Sequence, residues 1–146
     1  MFGWQDCHLH EFEIGGRRFE APGEEAEGEP TTVQLRELGI VEGDVFLYRY
    51  DFGDDWEHTI TVQSILPVSA AEEPRWPLLL DGARAGPPED CGGAGGYGEL
   101  VAALRRPRSK AGKAHRAWVG PQYDPDAFDP WQVGRMLTLA AAYGAL

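Results

Sequence analysis

The periodicity of the apolar residues changes halfway along the chain, and this change constrains the fold more than any other feature. In the first half, apolar and aromatic side chains alternate with polar ones, as they do in half-buried strands. In the second half, they recur every three or four residues, as they do along one face of a helix. Because the strands come first and the helices follow, the pattern favours an α+β fold, with antiparallel β-hairpins of the N-terminal half packed against helices of the C-terminal half.

Four strands are predicted from this alternation. Residues 8–14, 45–52 and 57–66 have apolar or aromatic side chains at alternate positions. A short return strand is predicted at 17–20, directly after a Gly-Gly turn. The connection 53–56 has a length typical of a hairpin loop, so the strands on either side of it are expected to be antiparallel neighbours.

The segments between the regular elements are predicted from their turn and loop residues. Residues 22–30 are acidic and rich in glycine, which indicates a solvated loop. Residues 33–38 are predicted to form a helical turn. The glycines of residues 92–98 are predicted to break the chain before the first helix.

Three helices are predicted in the second half. The first has apolar side chains at helical spacing from Tyr97 onward, and Pro107 ends it. The second covers residues 110–119. The third begins after Asp129, a residue type that favours the N-cap position, and it ends at Gly144.

Composition limits the partners of the chain. It has 146 residues, the usual size of one domain, and its formal net charge is −11, from 13 Lys and Arg against 24 Asp and Glu. This charge argues against nucleic acid as a partner, because phosphate binding depends on cationic side chains. No apolar run is long enough to cross a bilayer, the first residues lack a secretory signal, and the chain has only two cysteines. A soluble, cytoplasmic protein that does not enter a membrane is therefore expected.

The densest group of chemically reactive side chains lies around the predicted hairpin loop. Within residues 50–58 there are four carboxylates and one imidazole, on Asp51, Asp54, Asp55, Glu57 and His58. Carboxylates this close together repel one another unless a cation compensates, and a metal ion would do so. Alternatively, Asp54 and Asp55 cap the turn while Asp51 and Glu57 pair with arginines.

Two further histidines and a cysteine would complete a metal site. His8 and His10 are two residues apart on a predicted strand, so both imidazoles face the same way, and His58 is expected on that same sheet face. Cys91 precedes the glycine-rich stretch and would add a thiolate. The candidate ligands for a divalent ion, zinc or manganese, are therefore His8, His10, Asp54, Asp55, His58 and Cys91. Hydrogen-bonded histidines at the edge of a core are the alternative interpretation.

A metal at this position would make the chain a candidate hydrolase or nuclease. The ion would lower the pKa of a bound water, and a carboxylate would act as the general base. Asp55 and Glu57 are the candidates for that role.

Several sequence blocks resemble the plasmid pRiA4b ORF-3-like family, and they occur in the family's order over most of the chain. The resemblance implies an α+β fold and no established activity. Some relatives carry the label of an insertion-element passenger protein, TnpR, which links the family to mobile elements and suggests a resolvase. The residues here do not support a recombinase, since no activated serine is surrounded by arginines. The blocks are Gly3-Trp4, His8-Leu9-His10-Glu11-Phe12, the run from Tyr50 to His58, Pro87-Pro88-Glu89-Asp90-Cys91-Gly92-Gly93, Gly96-Tyr97 and Phe128-Asp129.

The chain departs from the family pattern in two places. Family members commonly have a cysteine where this chain has Gly86, which argues against a site built from two thiols. Relatives also have a strand and a helix before the Gly-Trp pair, and residues 1–146 are predicted to form a single domain that lacks them. The resulting uncovered sheet edge and apolar face would favour self-association.

These observations lead to three functional hypotheses. The first is a soluble binding or interaction domain whose partner is another protein or a second copy of the chain. The second is the metal-dependent hydrolase or nuclease described above. The third, a recombinase, has the least support.

Overall fold

The computed structural model describes residues 3–21, 27–67 and 78–142, and within them it has five strands, three α-helices and one 3-10 turn. The strands occupy the N-terminal half and the α-helices the C-terminal half, so the predicted α+β fold is confirmed. None of the described helices is long and apolar enough to cross a membrane. The elements are β1 (His10–Ile14), β2 (Arg17–Glu20), β3 (Glu29–Pro30), the 3-10 turn Leu35–Leu38, β4 (Val45–Tyr50), β5 (Trp56–Thr61), α1 (Gly93–Leu104), α2 (Lys110–Val119) and α3 (Pro130–Ala142).

The contacts divide the chain into two compact units. One, which we call the sheet unit, comprises Asp6–Pro67 and Gly92–Ala94. The other, which we call the helical unit, comprises Met1–Gln5, Val68–Cys91 and Gly95–Leu146. The single domain expected from the chain length stays a prediction.

The five strands form one sheet in the order β3-β2-β1-β4-β5. All neighbours are antiparallel except β2 and β3, which run parallel. The predicted hairpin between β4 and β5 is confirmed, with Tyr50 opposite Trp56 next to the loop. The stretch 22–30 was predicted as loop throughout, but Glu29–Pro30 forms the short strand β3; residues 22–26 lie outside the described part.

Three predicted strands are longer than the observed ones. The strand predicted at 8–14 begins at His10, and the one predicted at 57–66 ends at Thr61. The strand predicted at 45–52 ends at Tyr50, because Asp51 adopts a left-handed backbone conformation with φ 56°. The helical turn predicted at 33–38 is present as the shorter 3-10 turn Leu35–Leu38.

The register places different chemistry on the two faces of the sheet. Phe12 lies opposite both Phe19 and Tyr48, and Phe46 lies opposite Ile60, so these side chains share one face. We call it the aromatic face. The opposite face carries charged side chains, because successive residues of a strand point to opposite sides. On that charged face Glu11 is opposite Glu20 and Arg49, and Arg49 is opposite Glu57.

The glycine-rich stretch after Cys91 is helical, which corrects the prediction that it breaks the chain. Helix α1 begins at Gly93 and so includes three of the glycines that precede Tyr97. A Cβ atom on Gly96 would overlap the carbonyl oxygen of Cys91, and one on Gly93 would overlap that of Asp54. Gly93 is therefore required both by this close approach and by its left-handed backbone conformation at φ 62°, and Gly96 is required by the approach of the Cys91 carbonyl.

The other two helices begin at side-chain caps. Helix α2 has the predicted bounds, and the Ser109 hydroxyl accepts a hydrogen bond from Gly112 N at 2.9 Å. The predicted N-cap of α3 is also confirmed, since Asp129 Oδ1 accepts hydrogen bonds from the backbone N of Trp131 and Gln132. The described part of α3 ends at Ala142, and Gly144, its predicted end, lies outside the described residues.

Candidate functional site

Asp51 organises the acidic loop between β4 and β5. Its side chain is nearly buried, with a relative exposure of 7% for the residue. One carboxylate oxygen, Oδ1, accepts hydrogen bonds from Gly53 N at 2.9 Å and from Asp54 N at 3.3 Å. The backbone N of Asp51 donates to Leu9 O at 2.9 Å, which ties the loop to the segment before β1. Asp51 is thus the turn-capping residue, a role the sequence assigned to Asp54 and Asp55.

The second carboxylate oxygen of Asp51 faces a histidine. His8 Nε2 lies 3.7 Å from Asp51 Oδ2, within the distance of an ion pair when the imidazole is protonated. The imidazole of His8 also packs edge-on against the Tyr50 ring, with the centroids 5.8 Å apart. The predicted ligand His8 therefore lies beside Asp51, an acidic loop residue that was not among the predicted ligands.

The other two histidines lie on either side of Tyr48. The Tyr48 ring is on the central strand β4, 5.9 Å from the His10 ring on β1 and 5.5 Å from the His58 ring on β5. All three are on the aromatic face, where the sequence placed both imidazoles. In the described part of the chain, neither His10 nor His58 belongs to a set of three potential metal-ligand atoms within 4.8 Å of one another. The phenol ring therefore occupies the space between the two imidazoles.

The environment of Tyr48 also affects its ionisation. Burial raises the pKa of the Tyr48 hydroxyl, and the negative charge of Asp6 raises it further. Asp6 lies near this position because its Oδ1 is 3.7 Å from His10 Nδ1. The phenol therefore stays protonated over the neutral pH range.

The remaining acidic residues of the loop have partners elsewhere in the sheet unit. Asp55 Oδ1 is 3.0 Å from Arg49 Nε on the charged face, and Arg49 Nη1 is also 3.1 Å from Glu11 Oε1. Asp54 Oδ2 accepts a hydrogen bond from Gly92 N at 3.0 Å, directly before helix α1. Of the two candidate bases, Glu57 lies opposite Arg49 and Asp55 pairs with it. Arg49 is thus the counter-ion of this carboxylate group.

Cys91, the predicted thiolate ligand, belongs to the helical unit. It has intermediate exposure, forms no disulfide and lies two residues before the start of α1. Burial and the hydrogen bond with the Tyr97 hydroxyl raise the pKa of the Tyr123 hydroxyl, and the negative charge of Cys91 raises it further.

A groove in the sheet unit has the shape and lining of a binding site. Its volume is about 350 Å³, within the range of about 300–1,000 Å³ found for ligand sites. The floor includes the buried Phe19 and Phe46, and Leu35 is 57% exposed. Eight of the nine lining residues are apolar, and they come from four strands and the 3-10 turn region: Phe12, Ile14, Phe19, Thr31, Val33, Leu35, Leu38, Phe46 and Ile60.

The same unit carries all of the chain's net charge. It contains fifteen Asp and Glu against four Arg, a formal net charge of −11. The helical unit contains nine acidic and nine basic residues, so its formal net charge is zero. The groove is therefore an apolar surface within a strongly anionic unit.

The resemblance found in the sequence is supported over nearly the whole chain. The plasmid pRiA4b ORF-3-like protein family matches residues 1–132. The chain belongs to this family. It is 34% identical over 145 residues to the uncharacterised protein y4hQ of Sinorhizobium fredii, covering 96% of this chain and 73% of that protein.

A solved structure supports the same assignment. The crystal structure of MM3350 from Methanosarcina mazei Go1, a protein of unknown function, matches with a TM-score of 0.76 and 31% identity. The match covers 88% of this chain and 74% of that one. The pRiA4b ORF-3-like family thus accounts for the fold, and neither similar protein has a function in its name.

Sequence reasoning missed the groove of this pRiA4b ORF-3-like chain. The apolar residues Val33, Leu35 and Leu38 were assigned only to a helical turn. Two features of the sequence could have indicated a binding surface. One is the spacing of these three apolar residues on a short segment after an acidic stretch, and the other is the concentration of acidic residues in 6–67. The groove itself depends on side chains from β1, β2, β4 and β5, whose alignment is not a local property.

Proposed function

We propose that this pRiA4b ORF-3-like protein is a binding module whose sheet unit binds a basic, amphipathic polypeptide segment in the apolar groove. The observation that carries the proposal is the coincidence of the groove with the unit that has a net charge of −11. An apolar groove selects apolar anchor side chains, and the net negative charge of the unit, part of it on the opposite face of the sheet, attracts a positively charged segment over long range.

The apolar contacts would provide most of the affinity. Each anchor side chain that enters the groove removes its own surface and that of the lining residues from water, at about 25 cal/mol per Å². Leu35 is the exposed apolar residue of the lining, so it is the side chain of the groove that loses most solvent contact when an occupant binds.

The charge of the sheet unit would accelerate and orient binding. Long-range attraction raises association rates for an oppositely charged partner and lowers them for an anionic one. The effect is screened by salt, because the Debye length falls from about 30 Å at 0.01 M to about 8 Å at 0.15 M ionic strength. Binding of a basic segment should therefore weaken as salt is added.

The test is a titration with a dansyl-labelled amphipathic peptide of Leu and Lys. Leu35→Asp places a charge in the groove and should weaken binding by about tenfold or more, the equivalent of about 1.4 kcal/mol. Val41→Asp is the matched control, because Val41 is 58% exposed in the same unit and does not line the groove. It should change the affinity less than about twofold.

Two further outcomes decide the proposal. A Leu and Glu peptide of the same length should bind more weakly than the Leu and Lys peptide, and the difference should shrink at high salt. Absence of binding by the Leu and Lys peptide, or equal effects of Leu35→Asp and Val41→Asp, would show that the groove is not the binding site.

The metal-dependent hydrolase or nuclease is a second candidate, and one observation favours it. His8 Nε2 lies 3.7 Å from Oδ2 of the nearly buried Asp51 carboxylate. Imidazole and carboxylate groups are both ligands of zinc and manganese. Elemental analysis of protein purified without an affinity tag tests it. Stoichiometric metal that is lost in His8→Ala, but kept in His115→Ala, would support this candidate, and metal-free folded protein would reject it.

A further inference from the structure

The helical unit contains a second cavity whose lining differs from that of the groove. Its volume is about 360 Å³, and three aromatic side chains, Trp4, Trp118 and Tyr123, line it. Pro87 and Pro88 add apolar walls, and the carboxylate of Glu89 lies in the same lining. We call this the aromatic cavity. All of its residues belong to the helical unit, so it is separate from the groove.

Hydrogen bonds hold two of the three rings in place. Trp4 Nε1 donates to the carbonyl oxygen of Pro87 at 2.8 Å. The Tyr123 hydroxyl donates to Gly86 O at 3.1 Å, and Tyr123 O accepts from Arg116 Nη1 at 2.6 Å. Both rings are therefore fixed to the same backbone segment, which reduces the side-chain entropy that a ligand would have to remove.

The lining favours a cation. The face of an aromatic ring carries negative electrostatic potential, and indole attracts a cation most strongly of the three ring types. Glu89 adds a full negative charge to the same cavity. Trp118 on α2 is 52% exposed, so part of its surface is accessible to a ligand. Two indoles, a phenol and a carboxylate around one cavity are the groups that recognise organic cations.

The hydrogen-bonding groups of the lining favour a cation without N–H donors. The carbonyl oxygens of Gly86 and Pro87 already accept hydrogen bonds from Tyr123 and Trp4. Glu89 Oε1 already accepts one from Gln5 N at 2.8 Å. A primary ammonium that entered would have to replace its hydrogen bonds to water with bonds to these already engaged oxygens, whereas a trimethylammonium has no N–H donor and has no hydrogen bond to replace.

We propose that the aromatic cavity binds a trimethylammonium group. The group is found both in small molecules such as choline and in trimethylated lysine side chains, and both present the same methyl-covered charge. The proposal does not depend on the function proposed for the sheet unit, because no residue is shared between the two sites.

Calorimetric titration with choline and with its neutral isostere 3,3-dimethylbutanol tests the charge requirement. The two molecules have the same shape, so a cation site should bind choline at least about tenfold more tightly, and a merely apolar cavity should bind both equally. Equal binding, or binding of neither, would overturn the proposal.

Variants locate the site. Trp118→Leu should weaken choline binding by about fivefold or more, and Glu89→Gln should weaken it by about threefold or more. Trp131→Leu is the matched control, because Trp131 is also an exposed tryptophan on a helix and does not line the cavity. It should change the affinity less than about twofold. An equal loss in Trp131→Leu would place the binding elsewhere.

Peptides distinguish the two sources of the group. If the ligand is a modified lysine, a peptide with trimethyllysine should bind more tightly than choline, and its unmodified form should bind at least about tenfold more weakly. If the ligand is a free small molecule, choline should bind at least as tightly as the peptide. A preference for the unmodified lysine would contradict the argument from hydrogen-bond acceptors.

Discussion

The Oδ2 atom of Asp51 lies 3.7 Å from the Nε2 atom of His8, while Oδ1 of the same carboxylate accepts two backbone hydrogen bonds within the β4–β5 loop. One buried side chain therefore both closes the loop and faces the imidazole of the opening segment. This arrangement makes Asp51 the residue on which the geometry of the candidate site depends.

Replacing Asp51 by alanine should strongly destabilise the protein. Two backbone N–H groups would lose their acceptor, and alanine would have to adopt a left-handed conformation at φ 56°. We expect the free energy of unfolding to fall by about 3 kcal/mol in urea denaturation. Asp51→Asn keeps an acceptor oxygen and tolerates the conformation, so it should cost less than about 1 kcal/mol. Equal losses in the two variants would mean that the charge, and not the turn, matters.

Two glycines of helix α1 should respond in opposite directions to alanine. A Cβ atom at position 96 would overlap the carbonyl oxygen of Cys91, whereas one at position 98 would meet nothing within 4 Å. Gly96→Ala should therefore lower the free energy of unfolding by about 2 kcal/mol or more. Gly98→Ala should raise it by about 0.5–1 kcal/mol, since alanine favours the helix. Thermal and urea unfolding of both variants would check this, and stabilisation by both would show that position 96 has free space.

Arg49 should stabilise the charged face, because its positive charge offsets the repulsion between neighbouring carboxylates. Arg49→Gln would remove the ion pairs with Glu11 and Asp55 and the positive charge opposite Glu57, and would leave Glu11 with Arg18 as its counter-ion. The side chain of Arg49 is 42% exposed, so we expect a loss of only about 1 kcal/mol, smaller at high salt.

The contribution of one pair can be isolated by a double-mutant cycle. If the 3.1 Å contact with Glu11 carries part of the effect, Glu11→Gln combined with Arg49→Gln should cost less than the two single losses added. A coupling energy of about 0.5–1 kcal/mol is expected from urea unfolding. Strict additivity would assign the effect of Arg49 to its other partners.

Stability should fall in alkaline solution, and Tyr48 should contribute to the fall alongside Tyr123, whose pKa burial also raises. Burial raises the pKa of the Tyr48 hydroxyl above its ordinary value of 10.0, and Asp6 raises it further. Above about pH 10 the tyrosine of an unfolded chain loses its proton, whereas Tyr48 of the folded chain keeps it. The free energy of unfolding therefore falls as the pH rises from the unfolded-state pKa towards the folded-state pKa. Urea unfolding from about pH 8 to pH 11 should show this fall, and Tyr48→Phe should make it less steep. An unchanged slope in Tyr48→Phe would assign the fall to other groups.

The local elements could be predicted from the sequence because their signals are local. Alternation identified the β4–β5 hairpin, and Asp129 indicated the start of α3 with a side chain that bonds to the next turn. The start of α1 could not be predicted in this way. Its glycines indicate a break by propensity, but they are required by close approaches to Asp54 and Cys91, which only the folded chain creates.

The candidate site likewise has features that the sequence predicts and features that only the folded chain creates. That His10 and His58 share a sheet face follows from alternation, but the register decided that the Tyr48 ring lies between them. Asp55 and Asp51 exchanged their expected roles, because the left-handed conformation at Asp51 turns its carboxylate into the loop and Asp55 reaches Arg49.

The sequence by itself determined the order of strands before helices, the sign and the position of the net charge, and the family. Each of these depends on residue identity and on spacings of a few residues. Only the tertiary structure decided where the apolar groove and the aromatic cavity lie, because each is lined by residues from distant parts of the chain, from Phe12 to Ile60 and from Trp4 to Tyr123. Periodicity states which face a side chain occupies, whereas strand register and the path of the chain determine which faces meet.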